Sequence, residues 1–437
     1  MIRVFISCIV FFITAIPSFA EVKIQEVTSP NGIKAWLVSE PSIPMIAFDI
    51  AFRGGASLDN DEKSGATYLM AATLEEGTGD MDAAAFLRAS ESMAARFGFS
   101  ASRDSVSITA EVLKSNAAEA LDLLKQAITK PAFNKVAVDR VKGQILSGLA
   151  SDETDPDAIA GKAMRELSFP NHPYARGKEG TIETVQTLTP DDMRVAHQNA
   201  MALDRIFIGV VGDVTAEELG PMLDILLGDL PATGAPMPTK TPFGATGGTT
   251  VVEFDTPQAQ ALWAQAGLDR HDPDFFAAYV MNRILGGGGF TSRLTEEVRE
   301  KRGLTYGVYS YIASGEFGDY IGGSVASANG RIKEALDVIR VEWARMADSG
   351  VTADELEAAK TYLTGAYPLR FDGNSQIAGI LAGMQSQDLP IDYIATRNDQ
   401  VNAVTMDDVS RVAKRLLKTD ELRFVVVGKP EGVASTD

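Results

Sequence analysis

The sequence predicts an α+β protein built from two homologous domains of about 210 residues, each a largely antiparallel sheet packed with helices, joined by an extended linker. Three observations predict this. The chain is internally duplicated. Its strands are separated by pairs of helices rather than by strict β-α-β alternation. A Pro- and Gly-rich stretch lies near the middle of its 437 residues.

The duplication is read from ordered matches. Leu188-Thr189-Pro190-Asp191-Asp192-Met193 answers Val404-Thr405-Met406-Asp407-Asp408-Val409. Phe207-Ile208-Gly209-Val210-Val211-Gly212 answers Arg423-Phe424-Val425-Val426-Val427-Gly428, and both pairs are offset by 216 residues. Glu119-Ala120-Leu121-Asp122 returns at 334–337, offset by 215. Three matches in order at spacings that agree to within one residue mark two copies of one unit. Between them, residues 230–250 carry Pro231, Pro236, Pro238 and Pro242 without apolar periodicity, which reads as a linker. The units are therefore 21–229 and 251–437.

Within the first unit, 34–39, 45–52 and 105–112 have strand character, the last by strict alternation. Residues 83–97 and 117–128 have helical spacing, and 134–151 is a longer helix. The run 152–157 reads as a solvated turn. Thr189 is an N-cap, with Pro190 at the first helical position and acids in the first turn. Residues 205–211 form a buried closing strand, and the second unit repeats this order, ending on 422–427.

Composition excludes several functions. The only histidines are His172, His197 and His271, and the only cysteine is Cys8. No helix can carry two of these histidines on one face, so H-E-x-x-H, H-x-x-E-H and zinc-finger pairings are absent. His172 sits in a turn-like, structural setting. His197, on a polar helix, and His271, in a loop, read as surface residues. A formal charge of −19 opposes nucleic-acid binding and suits cationic peptides. Met1-Ile2-Arg3, an apolar stretch over 4–16 and Ser18-Phe19-Ala20 read as an export signal, residues 1–20, cut after Ala20. The expected destination is the periplasm or the cell exterior, with no membrane span and no cysteine left in the mature chain.

Common catalytic motifs fail. Gly322-Gly323-Ser324-Val325-Ala326 lacks the last Gly of a nucleophile elbow. Gly286-Gly287-Gly288-Gly289 does not complete a dinucleotide fingerprint, because Thr291 holds the last place. Asp59-Asn60-Asp61 opens like a calcium loop, but Lys63 and a missing Glu end it. The densest signal is 285–310. A glycine loop, Gly286–Gly289, lets backbone approach a ligand closely. A helix over 292–302 comes next, Gly303 stops it, and a strand runs from Leu304 to Ser310. That reversal can bring Arg299 and Tyr306 to one side.

The stretch Gly286–Ser310 resembles the C-terminal-domain motif of the insulinase/pitrilysin metallopeptidases, the inverzincins, and especially their mitochondrial-processing-peptidase-like bacterial branch. Phe169-Pro170-Asn171-His172-Pro173-Tyr174, Gly180-Thr181 and Val210-Val211-Gly212-Asp213 resemble the same family. The resemblance implies that Arg299 and Tyr306 reach toward substrate at a zinc site, orienting the peptide and stabilising an oxyanion. It also implies substrate contact by the glycine loop. The family's H-x-x-E-H is missing. Tyr68 and Ala72 stand at the two His positions and Ala71 at the catalytic Glu, while 144–149, where a third ligand belongs, holds no carboxylate. Catalytic zinc needs about three such ligands and an open position.

The resemblance thus implies a non-catalytic subunit, inactive alone and free of cofactor. It would serve a peptidase complex whose homologous partner carries H-x-x-E-H and zinc, with Arg299 and Tyr306 acting in trans on a peptide. Two alternatives stay open: a structural or peptide-binding family member, and a zinc endopeptidase with relocated ligands such as Glu75 and Glu76.

Overall fold

The computed structural model describes residues 23–436, so the segment expected to direct export lies outside the described residues. The first sheet contains β1 (Gln25–Thr28), β2 (Lys34–Ser39), β3 (Met45–Arg53), β4 (Arg96–Ala101), β5 (Ser105–Leu113) and β6 (Ile206–Gly212), in the order β1-β2-β6-β3-β5-β4. The second contains β7 (Gly248–Glu253), β8 (Gln258–Ala266), β9 (Val308–Ser314), β10 (Asp319–Ala328) and β11 (Arg423–Gly428), in the order β9-β10-β8-β11-β7. Without β1 the two orders are the same. Each sheet has one parallel pair, β2 with β6 and β7 with β11, and is otherwise antiparallel. The expected class, α+β with two homologous domains, is therefore the observed one.

Alternation builds each sheet. In β3, Ile46, Phe48, Ile50 and Phe52 turn to one face, and β5 matches them with Val106, Ile108, Ala110 and Val112. These form the first core with the helices Ala117–Thr129 and Ala216–Leu227. A second core gathers Trp263, Trp343, Phe424 and the helices Phe275–Leu285 and Ile332–Ser349. Strand β11 breaks the alternation: Phe424, Val425, Val426 and Val427 are all buried, as expected when both faces of a strand are covered.

The cover on the outer faces is exchanged between the halves. The helix Pro156–Ser168, from the first half, lays Ala160 and Met164 on Ala264, Val425 and Val427 of the second sheet. The helix Asn374–Ser386, from the second half, lays Ala378 and Leu381 on Ala47 and Val211 of the first. Gln385 Nε2 donates to Ile208 O at 2.8 Å, and Arg53 Nη2 donates to Ser386 O at 2.7 Å. Gly209 makes the approach possible, since a Cβ there would lie 2.1 Å from Ala378 O. A further strut uses the 169–174 motif. Tyr174 donates its hydroxyl proton to Asp104 at 2.7 Å and accepts from Phe317 N of the second half at 3.0 Å. His172 accepts from Tyr174 N at 3.1 Å and meets Thr239 O through Nε2 at 3.1 Å, a structural role as expected.

Several sequence expectations need correction. The helix expected over 83–97 stops at Ser92, because Ala94 takes a left-handed φ of 50° and β4 starts at Arg96. His197 is buried, not at the surface: it lies 8 % exposed and its Nε2 meets Ile128 O at 2.6 Å. The stretch 230–250 is irregular only up to Gly247, since β7 begins at Gly248. Of the run 152–157 only 153–155 lie between the two helices, and Asp155 caps the second by accepting from Asp157 N, with Pro156 at its first position.

Two outcomes test this architecture. Gly209→Ala should lower stability by about 1–3 kcal/mol in urea denaturation, as overpacking does, by prising the Asn374–Ser386 helix from the first sheet. Asp49, on β3 beneath Gly379 of that helix, is pushed by burial from 3.8 to about 6. Its folded value lies above its unfolded one, so the unfolded chain ionises first and stability falls as pH climbs from about 4 to about 6. Asp49→Asn should therefore raise the melting temperature at pH 7.5, with the gain shrinking toward pH 4.

Candidate functional site

Tyr306 is displayed by a tightly specified loop. Leu304 and Val308 on either side are buried, 4 % and 5 % exposed, while Tyr306 is 89 % exposed. Thr305 Oγ1 donates to Gly307 O at 2.8 Å and accepts from Gly307 N at 3.1 Å, which turns the chain sharply around Tyr306. Ser327 Oγ fixes Leu304 O at 2.5 Å, and Arg331 donates to Arg302 O at 2.9 Å and Gly303 O at 3.1 Å. Strand β9 consequently starts at Val308, not at Leu304, because 303–307 is held by side chains instead of a ladder.

Arg299 lies on the segment before this loop. An ordinary helix is expected over 292–302, yet Thr295–Glu300 is a π-helix, with Lys301 N reaching Glu296 O at 2.9 Å. The wider turn carries one extra residue, which re-aims the side chains beyond it by about 100°. Arg299 and Tyr306 line one groove of about 440 Å³, with Gln258 and Arg331. The Arg299 guanidinium lies 4.7 Å from the Phe290 ring centroid and 3.4 Å from Glu300. Phe290, 75 % exposed, is a residue that sequence reasoning missed. Its signal was an apolar aromatic directly after four glycines.

Phe290 also lines a neighbouring cavity of about 860 Å³ with Gly287, Gly288 and Gly289. Three of the four glycines are needed by the fold itself. A Cβ on Gly286 would lie 2.4 Å from Ser310 Oγ, one on Gly287 2.7 Å from Asn282 Nδ2, and one on Gly288 2.5 Å from Arg283 O. Asn282 O accepts from Gly286 N at 3.0 Å and Gly287 N at 2.7 Å, closing the loop onto its helix. Gly289 alone faces open space, with a φ of 58°. Arg283 stacks 3.7 Å from the Tyr362 centroid on the opposite wall.

The positions where the family's zinc motif would stand do not fit a metal. Tyr68, Ala71 and Ala72 lie on the short helix Ala66–Ala72. Ala71 is fully buried, and the Tyr68 ring lies 5.1 Å from Lys178 Nζ. The facing helix Lys135–Asp152 offers Ile145, Leu146 and Leu149 to the core. Glu75 and Glu76 come after that short helix in a turn. Glu76 is paired with Arg140, and burial together with Glu76 pushes the Glu75 carboxyl up. Among the described residues no group of three or more His, Cys, Asp and Glu is placed to hold a metal ion, and no helix is long and apolar enough to cross a membrane. Tyr68, Ala71 and Ala72 line neither the Arg299–Tyr306 groove nor the glycine-loop cavity.

The duplicated sheets have clear counterparts. The family model described as insulinase (peptidase family M16) matches residues 35–181, and the one described as peptidase M16 inactive domain matches 187–363. This chain belongs to the insulinase (M16) family. A Helicobacter pylori protein named non-peptidase homolog YmxG is 28 % identical over 88 % of this chain and 89 % of its own length. A probable mitochondrial-processing peptidase subunit beta of Schizosaccharomyces pombe is 23 % identical over 97 % of this chain and 94 % of its own. The crystal structure of a peptidase M16 inactive domain from Pseudomonas fluorescens superimposes with a TM-score of 0.86 at 28 % identity, covering 95 % of this chain and 99 % of that one. With Tyr68, Ala71 and Ala72 at the metal positions, the chain is a non-catalytic M16 member.

The glycine loop yields its own test. Gly286→Ala should cost about 1–3 kcal/mol through its collision with Ser310 and Leu294, whereas Gly289→Ala should cost only about 1–2 kcal/mol of left-handed strain. Urea denaturation of the two variants checks the order.

Proposed function

We propose that this chain is the zinc-free half of a two-chain M16 peptidase and presents Arg299 and Tyr306 in trans to a peptide held at the zinc of a homologous partner. The partner carries H-x-x-E-H in its first domain. Here the glycine loop with Phe290 forms the substrate-facing wall next to Arg299. An export segment at 1–20 places the complex in the periplasm or outside the cell. The observation that carries this reading is Tyr306, almost fully exposed on a loop whose every neighbour is fixed, beside an Arg299 that lines the same groove. A phenol presented in this way serves no core. A rigid donor suits an oxyanion, because a preorganised group needs no rearrangement as charge develops.

The isolated chain should bind no stoichiometric zinc and cleave no peptide. Mixed with an H-x-x-E-H partner it should give peptidase activity. Tyr306→Phe should lower turnover of the complex about 10²-fold without weakening assembly, measured by peptide cleavage and by size-exclusion chromatography. Full turnover with both Tyr306→Phe and Arg299→Ala would instead support a structural or peptide-binding subunit.

A further inference from the structure

A cluster of three arginines lies away from the Arg299 groove. A cavity of about 580 Å³ is walled by the helices Phe275–Leu285, Asn374–Ser386 and Tyr393–Ala403. Arg270, Arg370 and Arg397 line it, and no lining residue is acidic. The hydrogen bonds of Arg270 and Arg397 go to neutral groups. Arg270 Nη2 donates to the Tyr393 hydroxyl at 2.7 Å. Arg397 Nη1 donates to Leu363 O at 2.7 Å and to Asn398 Oδ1 at 2.9 Å.

The contrast with neighbouring arginines is informative. Arg411 and Arg415 engage Asp272 and Asp274, the carboxylates nearest Arg270 on its C-terminal side in the chain, through contacts of 2.5–2.6 Å. Among the described residues no carboxylate forms an ion pair with Arg270, Arg370 or Arg397. Arg397 is only 5 % exposed, and a guanidinium so far out of water is costly without an anionic partner.

The rest of the wall is flat and apolar. Phe275 and Tyr279 stack at 6.2 Å with planes 9° apart. The Arg270 guanidinium lies 4.0 Å from the Phe275 centroid, and that of Arg397 lies 4.5 Å from the Tyr367 centroid. Packing over a ring restricts each guanidinium, and arginine suits a carboxylate because its fork can donate two parallel hydrogen bonds. The volume falls within the range of small-molecule sites.

We propose that this cavity binds an aromatic carboxylate, the carboxylate received by the Arg270–Arg370–Arg397 cluster and the ring lying among Phe275, Tyr279 and Tyr367. Two sources offer that chemistry: a free aromatic acid, or the C-terminus of a peptide ending in Phe or Tyr. The site is independent of Arg299 and Tyr306, so it stands or falls separately from the two-chain peptidase.

Calorimetric titration of the full chain with 3-phenylpropionate, its neutral amide, and Ala-Ala-Ala-Phe with a free C-terminus decides the matter. The acid, the tetrapeptide or both should bind, with the amide about tenfold or more weaker. Binding of the acid alone assigns the free-acid source, and binding of the tetrapeptide alone assigns the peptide terminus. Arg270→Gln and the more exposed Arg370→Gln should each weaken the binding ligand about tenfold while circular dichroism melts stay cooperative. Arg299→Ala should leave affinity unchanged. Equal affinity for acid and amide, wild-type affinity in both Gln variants, or no heat from either anionic probe at millimolar concentration would overturn the site.

Discussion

The structure depends on the exchange of two helices. Each sheet has a core face closed by its own half and an outer face closed by a helix from the other half, Pro156–Ser168 over β8 and β11, Asn374–Ser386 over β3 and β6. Neither half can bury its central strands alone, since an all-apolar strand such as β11 would face water on one side. The contact is close because small residues sit at its centre. Gly209, Ala378 and Ala47 meet on one sheet, and Ala160 and Ala264 on the other. The linker around 231–247 need not be stiff, because the two halves are locked by the helices rather than by the chain between them.

That lock gives the second half a rigid platform, and the platform explains the display of Tyr306. A tyrosine on a mobile loop would pay conformational entropy each time it met a ligand. Here the entropy is lost on folding. Leu304 and Val308 are anchored in the core, Ser327 and Arg331 hold the carbonyls of Leu304, Gly303 and Arg302, and Thr305 bridges to Gly307 across Tyr306. The π-helical turn before it sits at Arg299, where re-aiming a side chain is the effect.

Much of this was legible in the sequence, and the failures have physical causes. Strand β2 was readable to the residue, and β3, β5, β6 and β11 to within one, because alternation or continuous burial marks them. The repeat spacing pointed to the two sheets, but not to the helix exchange, since local pattern does not say which sheet a helix covers. His197 was misread because polar neighbours on its helix masked one buried position. The late start of β9 was hidden because it arises from side-chain bonds to backbone far along the chain, Ser327 to Leu304 and Arg331 to Gly303. The π-turn was hidden too, since its residues have the spacing of an ordinary helix. The pairing of Arg299 with Tyr306 was visible as a spacing, but Phe290 between the groove and the glycine cavity emerged only from the fold.

The state of the degenerate metal helix obeys the same packing logic. Ala71 is fully buried, and Ala72 packs against the first core along with Tyr68. A glutamate at 71 alone would bury a carboxylate without a partner, and an imidazole at 72 alone would press a larger polar ring against the same core. Neither gains a metal until both histidines and a third donor are present together, and the facing helix offers only Gln144, Ser147, Gly148 and apolar side chains over 144–149. Each single step back toward a zinc site is therefore destabilising, with no binding energy to offset it. The loop carrying Tyr306 faces no such constraint, because its exposed phenol has no core to disturb. A chain of this kind can keep an exposed Tyr306 beside Arg299 at no cost to its fold, while the metal positions are closed off by its core.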